Sequence, residues 1–196
     1  TPPDPVELSL GDYDNASNSI DLYASSPYDI YGFEFGLESS SLDLASVSGG
    51  AAEDAGFTMS NSDDTALGFS LAGASISAGE NIHIATLSFT VNSFEESTIC
   101  LTDVILAGNG GAPLYTQGPN CATYTPAPVE LSLGDYDNAS NSIDLYASSP
   151  HDIYGFEFGL ESSSLDLDSV SGGAAEDAGF TMSNSDDTAL GFSLAG

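Results

Sequence analysis

The chain has no lysine and no arginine, against 30 aspartates and glutamates, so its 196 residues carry a formal charge of −30. That absence excludes whole classes of partner. Nucleic acids and anionic membranes are held by lysine and arginine side chains that displace counterions, and none is available. Arginine phosphate clamps, Schiff-base chemistry on lysine and Lys–Asn isopeptide cross-links are excluded with them. Tryptophan is also missing, which removes the flattest platform for a sugar ring. No apolar run reaches the roughly 18 residues of a membrane-spanning helix, so no membrane insertion is expected. Cysteine is limited to Cys100 and Cys121. An even count fits a secreted disulfide framework, with two buried thiols as the alternative.

Charged residues make up only 15% of the chain and apolar ones 41%. That is enough for a packed core and too little charge for a disordered acidic tail. Repulsion among the carboxylates must be offset by salt, bound cations or glycans.

What the sequence does contain is a copy of itself. Val6–Gly73 returns at Val129–Gly196, 123 residues later (129 − 6), and two of 68 aligned positions differ: Tyr28 against His151 and Ala45 against Asp168. The period exceeds the roughly 20–50 residues of solenoids and propellers and has the size of a small domain. The expected organisation is a Pro-rich linker at 1–5, a complete domain at 6–124, a second Pro-rich linker at 125–128 and the first part of an identical repeat at 129–196. The chain is thus expected to be a window onto a longer repetitive polymer. Short proline linkers hold neighbours at a fixed spacing.

The apolar pattern is that of strands. Val6, Leu8 and Leu10 alternate with polar residues, as do Ile20, Leu22 and Ala24. Tyr31, Phe33, Phe35 and Leu37 share one face of a central core strand, and Tyr31, Phe33 and Phe35 are expected to form the core with Leu87 and Phe89 of a later strand. Leu42–Ser46 reads as a short strand, and 57–60 with 65–71 as a hairpin. A parity slip at His83–Ala85, and another between Leu101 and Val104, predict β-bulges. Strands closing the domain are expected at 112–117 and 122–124. No segment has helical periodicity. Short strands with turns every 8–12 residues or so predict an all-β sandwich.

The succession VELSLGD, IDLYASS, IYGFEFGL, LDLASVSGG, TALGFSLAG, IHIATLSFTV and CLTDVILAG resembles a cohesin domain over most of Val6–Leu114 and again in the second copy. The resemblance implies a jelly-roll β-sandwich of about nine strands. It also implies a sheet face of the kind through which cohesins bind dockerins, and a likeness to cohesin-like repeats of large secreted proteins.

Candidate sites are few. His151 is Tyr28 in the other copy and His83 lies in a strand, so neither is expected to be catalytic, and no Ser–His–Asp set has local support; the chain is read as no enzyme. Asp12 and Asp14 in the loop after the first strand are candidate calcium ligands, and Asp63 and Asp64 form a second acidic loop. The EF-hand pattern fails in the loop that begins at Asp12, with Ser17 at the glycine position and Tyr23 at the glutamate position. Asn15-Ala16-Ser17 and Asn138-Ala139-Ser140 are N-glycosylation sequons, and Thr125 beside Pro126 is a candidate O-glycan acceptor. Tyr13, Tyr23 and Tyr28 are the candidate aromatics for carbohydrate.

These readings point first to an extracellular structural protein, a fibre, appendage or adhesive stalk. Its repeats would pair head to tail with copies of themselves through Thr1–Leu10 and Ala122–Leu133. The alternative is a cohesin-type module presenting repeated docking faces to a dockerin-like or carbohydrate partner.

Overall fold

The computed structural model describes residues 3–118 and 121–194. Thr1 and Pro2 of the expected first linker, and Ala195 and Gly196 at the end of the second copy, lie outside the described residues. The chain forms two compact units, Thr1–Ala127 and Pro128–Gly196.

The first unit is two sheets around one core. Its strands are β1 (Val6–Leu10), β2 (Ser19–Ser26), β3 (Gly32–Glu38), β4 (Leu42–Ser48), β5 (Thr58–Asn61), β6 (Thr65–Phe69), β7 (Gly79–Val91) and β8 (Ser97–Ala107). They are followed by β9 (Pro113–Leu114), β10 (Thr116–Gln117) and β11 (Cys121–Tyr124). One sheet has the order β10-β1-β2-β7-β4; the other runs β11-β8-β3-β6-β5, with β9 added beside β8. Nine of these strands have four residues or more, β1 to β8 and β11; the two-residue β9 and β10 come in addition.

Alternation decides which side chains meet inside. Val6 and Leu8, Ile20 and Leu22, Phe33 and Phe35, Leu87 and Phe89, and Ile99 and Leu101 are all buried, each pair two residues apart on one pleat face. Phe33 stacks between Phe35 and Phe57, with ring centroids 5.8 and 6.3 Å away. Gly68 makes that stack possible, because a Cβ there would collide with the Phe33 ring. Tyr31 is half-buried and stands outside this set.

Both expected bulges are present. The β2–β7 register slips between Leu22–Ala85 and Tyr23–His83, and the β3–β8 register between Glu34–Ile105 and Gly36–Thr102. Asp103, inside the second bulge, has φ +47°.

A helix is present where none was expected. α1 (Gly50–Asp54) has five residues and buries only Ala52. Gly49 and Gly50 turn into it at φ +70° and +64°, a region glycine enters without steric cost. Glu53 Oε2 accepts the Gly49 N–H at 2.6 Å, which holds the first turn.

The second unit contains β12 (Glu130–Leu133) paired with β13 (Leu145–Ser148), and a sheet of β14 (Gly155–Gly159), β16 (Thr188–Phe192) and β15 (Thr181–Asn184), with α2 (Gly173–Asp177) between. Glu130 pairs with Ser148 as Glu7 pairs with Ser25, and Gly155 with Phe192 as Gly32 with Phe69. The two substituted positions serve through their backbone carbonyls. Ser26 Oγ donates to Tyr28 O and Ser149 Oγ to His151 O; Asn61 Nδ2 donates to Ala45 O and Asn184 Nδ2 to Asp168 O. Any side chain leaves those bonds intact.

Candidate binding face

The outer faces of the two sheets differ in chemistry. On β10-β1-β2-β7-β4 the outward positions are polar, among them Ser9, Asp21, Tyr23, Thr86, Ser88 and Thr90. On the other sheet a row crosses four strands. Ile105 of β8 stands opposite Glu34 of β3, Glu34 opposite Leu67 of β6, and Leu67 opposite Ser60 of β5. In the next row Phe69 stands opposite Gly32 and Thr58. Ile105 is 57% exposed, and Leu67 and Phe69 are half-buried. Neighbouring strands lie about 4.8 Å apart, so the row from Ile105 to Leu67 spans about 10 Å. At Gly36 of the central strand a Cβ would collide with Thr102 Oγ1, so β3 offers no side chain there and the face stays shallow. Exposed Glu34 stands inside the row, between Ile105 and Leu67, and Glu38 and Asp103 are exposed on the same two strands, so the apolar groups are interspersed with negative charge.

The first sheet carries the histidine. His83 Nε2 lies 3.1 Å from Asp21 Oδ1 and 3.2 Å from Thr86 Oγ1, which itself donates to the same Asp21 oxygen at 2.7 Å. Tyr23 donates to Asp21 Oδ2 at 3.3 Å, and its ring centroid lies 5.5 Å from that of His83. Hydroxyl and carboxylate thus meet the same ring nitrogen. A nucleophile relay needs them on opposite nitrogens, and this cluster does not have that geometry.

The loop after β1 ties itself together. Asp14 accepts the Ala16 N–H at 2.9 Å and the Ser17 hydroxyl at 2.6 Å. These bonds, Ser17 first, hold its carboxyl below the usual range. Asp64 in the second acidic loop is lowered in the same way by the Ser62 and Thr65 hydroxyls. Among the described residues no three His, Cys, Asp or Glu side chains gather to hold a metal ion. Tyr13 packs edge-on to Tyr124 at 4.8 Å and against Phe89. Burial, then Tyr124 and Asp14, push its hydroxyl up to about 12. Its ring is taken by the core and is no platform for a sugar; Tyr28 is partly exposed, and Tyr23 is engaged by His83.

Asn15 Nδ2, the atom an N-glycan would occupy, donates to Thr125 O at 3.0 Å. Thr125 in turn donates to Glu96 Oε2 at 3.4 Å. Cys100 and Cys121 form a disulfide that binds edge strand β11 to β8.

Sequence reasoning did not find the row of Ile105, Leu67 and Phe69. The available signal was the second parity slip, which puts Ile105 on the face opposite Leu101 and Leu106.

No protein-family model matches the chain, and no curated protein matches its sequence. Among solved structures the chain is similar to cohesin modules. A non-cellulosomal cohesin from the hyperthermophilic archaeon Archaeoglobus fulgidus matches with a TM-score of 0.49 and 10% identity, over 64% of this chain and 93% of that one. A type I cohesin–dockerin complex from Clostridium thermocellum matches at 0.43 and 12%, over 58% and 88%. A type II cohesin dyad from an adaptor scaffoldin of Acetivibrio cellulolyticus matches at 0.41 and 9%, over 96% and 77%.

Proposed function

We propose that this chain is a non-enzymatic, extracellular binding module of the cohesin type, which docks a protein partner on the outer face of β8-β3-β6-β5. The observation that carries the reading is the contrast between the two sheets. One outer face is mostly hydroxyls and carboxylates, with the Tyr23 and His83 rings among them; the other sets Ile105, Leu67 and Phe69 in adjoining rows. Apolar side chains grouped on an otherwise polar surface mark contact sites. The partner is a dockerin-like domain with apolar side chains interspersed with lysine or arginine, because Glu34, Glu38 and Asp103 repel any acidic surface. A second copy of this chain, which has no lysine or arginine, fits those carboxylates poorly. The test is calorimetric titration of the full chain with a panel of dockerin modules. Binding is expected, and Ile105→Asp should weaken it at least tenfold or so, while Thr90→Asp on the opposite sheet leaves it unchanged. Equal loss in both variants would contradict the assignment.

A head-to-tail fibre is the second reading. What favours it is the near-identity of the two copies, which differ at two of 68 aligned positions, together with the short linker carrying Pro126 and Pro128. The division into linkers at 1–5 and 125–128, a domain at 6–124 and a second repeat at 129–196 belongs to the same proposal. So do glycans on Asn15, Asn138 and Thr125, and calcium at Asp12 and Asp14.

A further inference from the structure

Asn109-Gly110 is the single Asn-Gly step in the sequence. After β8 the chain makes one tight turn at Asn109–Gly111, and all three residues are exposed. The turn is held by the Gly108 N–H donating to Ala112 O at 2.7 Å, the Gly111 N–H to Gly108 O at 3.1 Å and the Ala112 N–H to Asn109 O at 3.4 Å. The Gly110 N–H takes part in none of these bonds. Gly110 and Gly111 have φ +67° and +79°, a region that a residue with a side chain enters at a steric cost. Beyond the adjoining residues, no atom lies within 4 Å of the point where a Gly110 Cβ would stand. The turn thus favours a glycine directly after Asn109, and nothing packs over the step.

The asparagine side chain is not held either. Elsewhere in the first unit such amides are bonded. Asn15 Nδ2 donates to Thr125 O, Asn61 Nδ2 donates to Leu44 O, Ala45 O and Ser62 O, and Asn18 Oδ1 accepts the Tyr13 hydroxyl. Among the described residues no partner holds the Asn109 carboxamide.

We propose that Asn109 is a site of spontaneous covalent modification, where the asparagine is converted to a mixture of aspartate and isoaspartate. The Gly110 nitrogen gives up its proton to hydroxide or a buffer base and attacks Asn109 Cγ. A C–N bond forms, the Cγ–Nδ2 bond breaks, and the amide group leaves as ammonia with a proton from water. One water molecule then opens the cyclic imide. Opening at Cγ restores the ordinary main chain with aspartate at this position. Opening at the backbone carbonyl leaves isoaspartate, whose main chain runs through Cβ and is longer by a methylene. Ammonia is exchanged for water, so no oxidant, reductant or enzyme enters the balance. This chemistry needs no partner and is separate from the docking face.

The added methylene falls where the two sheets are tied together. Beyond the turn β9 pairs with β8, Leu106 opposite Leu114, and β10 pairs with β1, Val6 opposite Thr116. Between them Tyr115 O accepts the Val6 N–H at 2.7 Å. Residues 113–117 therefore form a strap from one sheet to the other, anchored at its start by the bond from Gly108 to Ala112. A longer main chain at position 109 disrupts that bond and loosens the strap. Aspartate adds only a charge and leaves the strap in place.

The test ages the full 196-residue chain, ¹⁵N-labelled, in mildly alkaline buffer made with H₂¹⁸O. A peptic digest is sequenced by electron-transfer mass spectrometry, which tells isoaspartate from aspartate. Both products are expected at position 109, each carrying ¹⁸O. Asn61, whose amide must first leave three carbonyls, should convert at least roughly tenfold more slowly. The isoaspartate form, separated by chromatography, should exchange its Gly108 and Val6 amides roughly tenfold faster than the fresh chain. Asn109→Asp has the charge without the methylene and should match the fresh chain at both amides. Survival of Asn109 for as long as Asn61 overturns the assignment. Unchanged exchange at Gly108 and Val6 in the isoaspartate form, or equal acceleration in Asn109→Asp, overturns the role given to the strap.

Discussion

Cys100 and Cys121 stand directly opposite each other across β8 and β11, their Cα atoms 4.0 Å apart. The pair fixes the last strand of the first unit, which carries Tyr124 into the core beneath Tyr13. The sequence separation of 21 residues sets the entropy the bridge removes from the unfolded chain. Replacing both cysteines by serine should destabilise the first unit by about 3 kcal/mol. Denaturant unfolding checks the value. An unchanged midpoint would mean that β11 is held by Tyr124 alone.

Gly68→Ala should destabilise the first unit by about 1–3 kcal/mol, the usual cost of overpacking a core, because the new methyl meets the Phe33 ring. Gly191 faces Phe156 in the same way. Thermal unfolding of each single variant checks both, and a neutral Gly68→Ala would show that the Phe33–Phe57 stack shifts freely.

Much of this fold is legible in the sequence, and the exceptions have physical causes. Phe33 and Phe35 announce a core strand because the pleat repeats every two residues. Ile84 and Ala85 announce a bulge because both are apolar where only one parity can face inward. The helix Gly50–Asp54 is invisible, since five residues with one buried alanine have no periodicity to detect. Leu42–Ser48 is the sharper case: nearly the same residues form β4 in one unit and no strand at 165–171 in the other, so their conformation is set by β7 and not by local preference. The disulfide is legible from its count of two. The binding face is not, because parity shows that Ile105 opposes Leu106 but not that Leu67 and Phe69 come to lie alongside it.

Asp14 gives a pH prediction. Its folded pKa is lowered from the ordinary value of 3.8 by the Ser17 and Ala16 hydrogen bonds. A lowered carboxylate contributes stability above the unfolded pKa and loses it as pH falls through the folded value. Asp14→Asn should therefore flatten the acid limb of the stability curve below pH 3.8 or so and leave its shape near neutrality unchanged. Stability measured from neutral to strongly acid pH checks this; parallel curves for the two proteins would refute it.

Thirty aspartates and glutamates without a lysine or arginine repel one another, and salt screens them. Sodium chloride should raise the melting temperature. Calcium held at Asp12 and Asp14 would raise it further than sodium chloride of equal ionic strength, and Asp14→Asn would remove the difference. Equal effects of the two salts would assign the whole gain to screening.

The most direct test of the binding face is a residue-resolved map of contact. The ¹⁵N-labelled chain is titrated with the tightest-binding dockerin module of the panel, and amide shifts are followed. The account predicts that Glu34, Leu67, Phe69 and Ile105 move together, while Tyr23, His83 and Thr86 on the other sheet stay still. Shifts confined to Tyr23, His83 and Thr86, or no shift anywhere with every module of the panel, would contradict it.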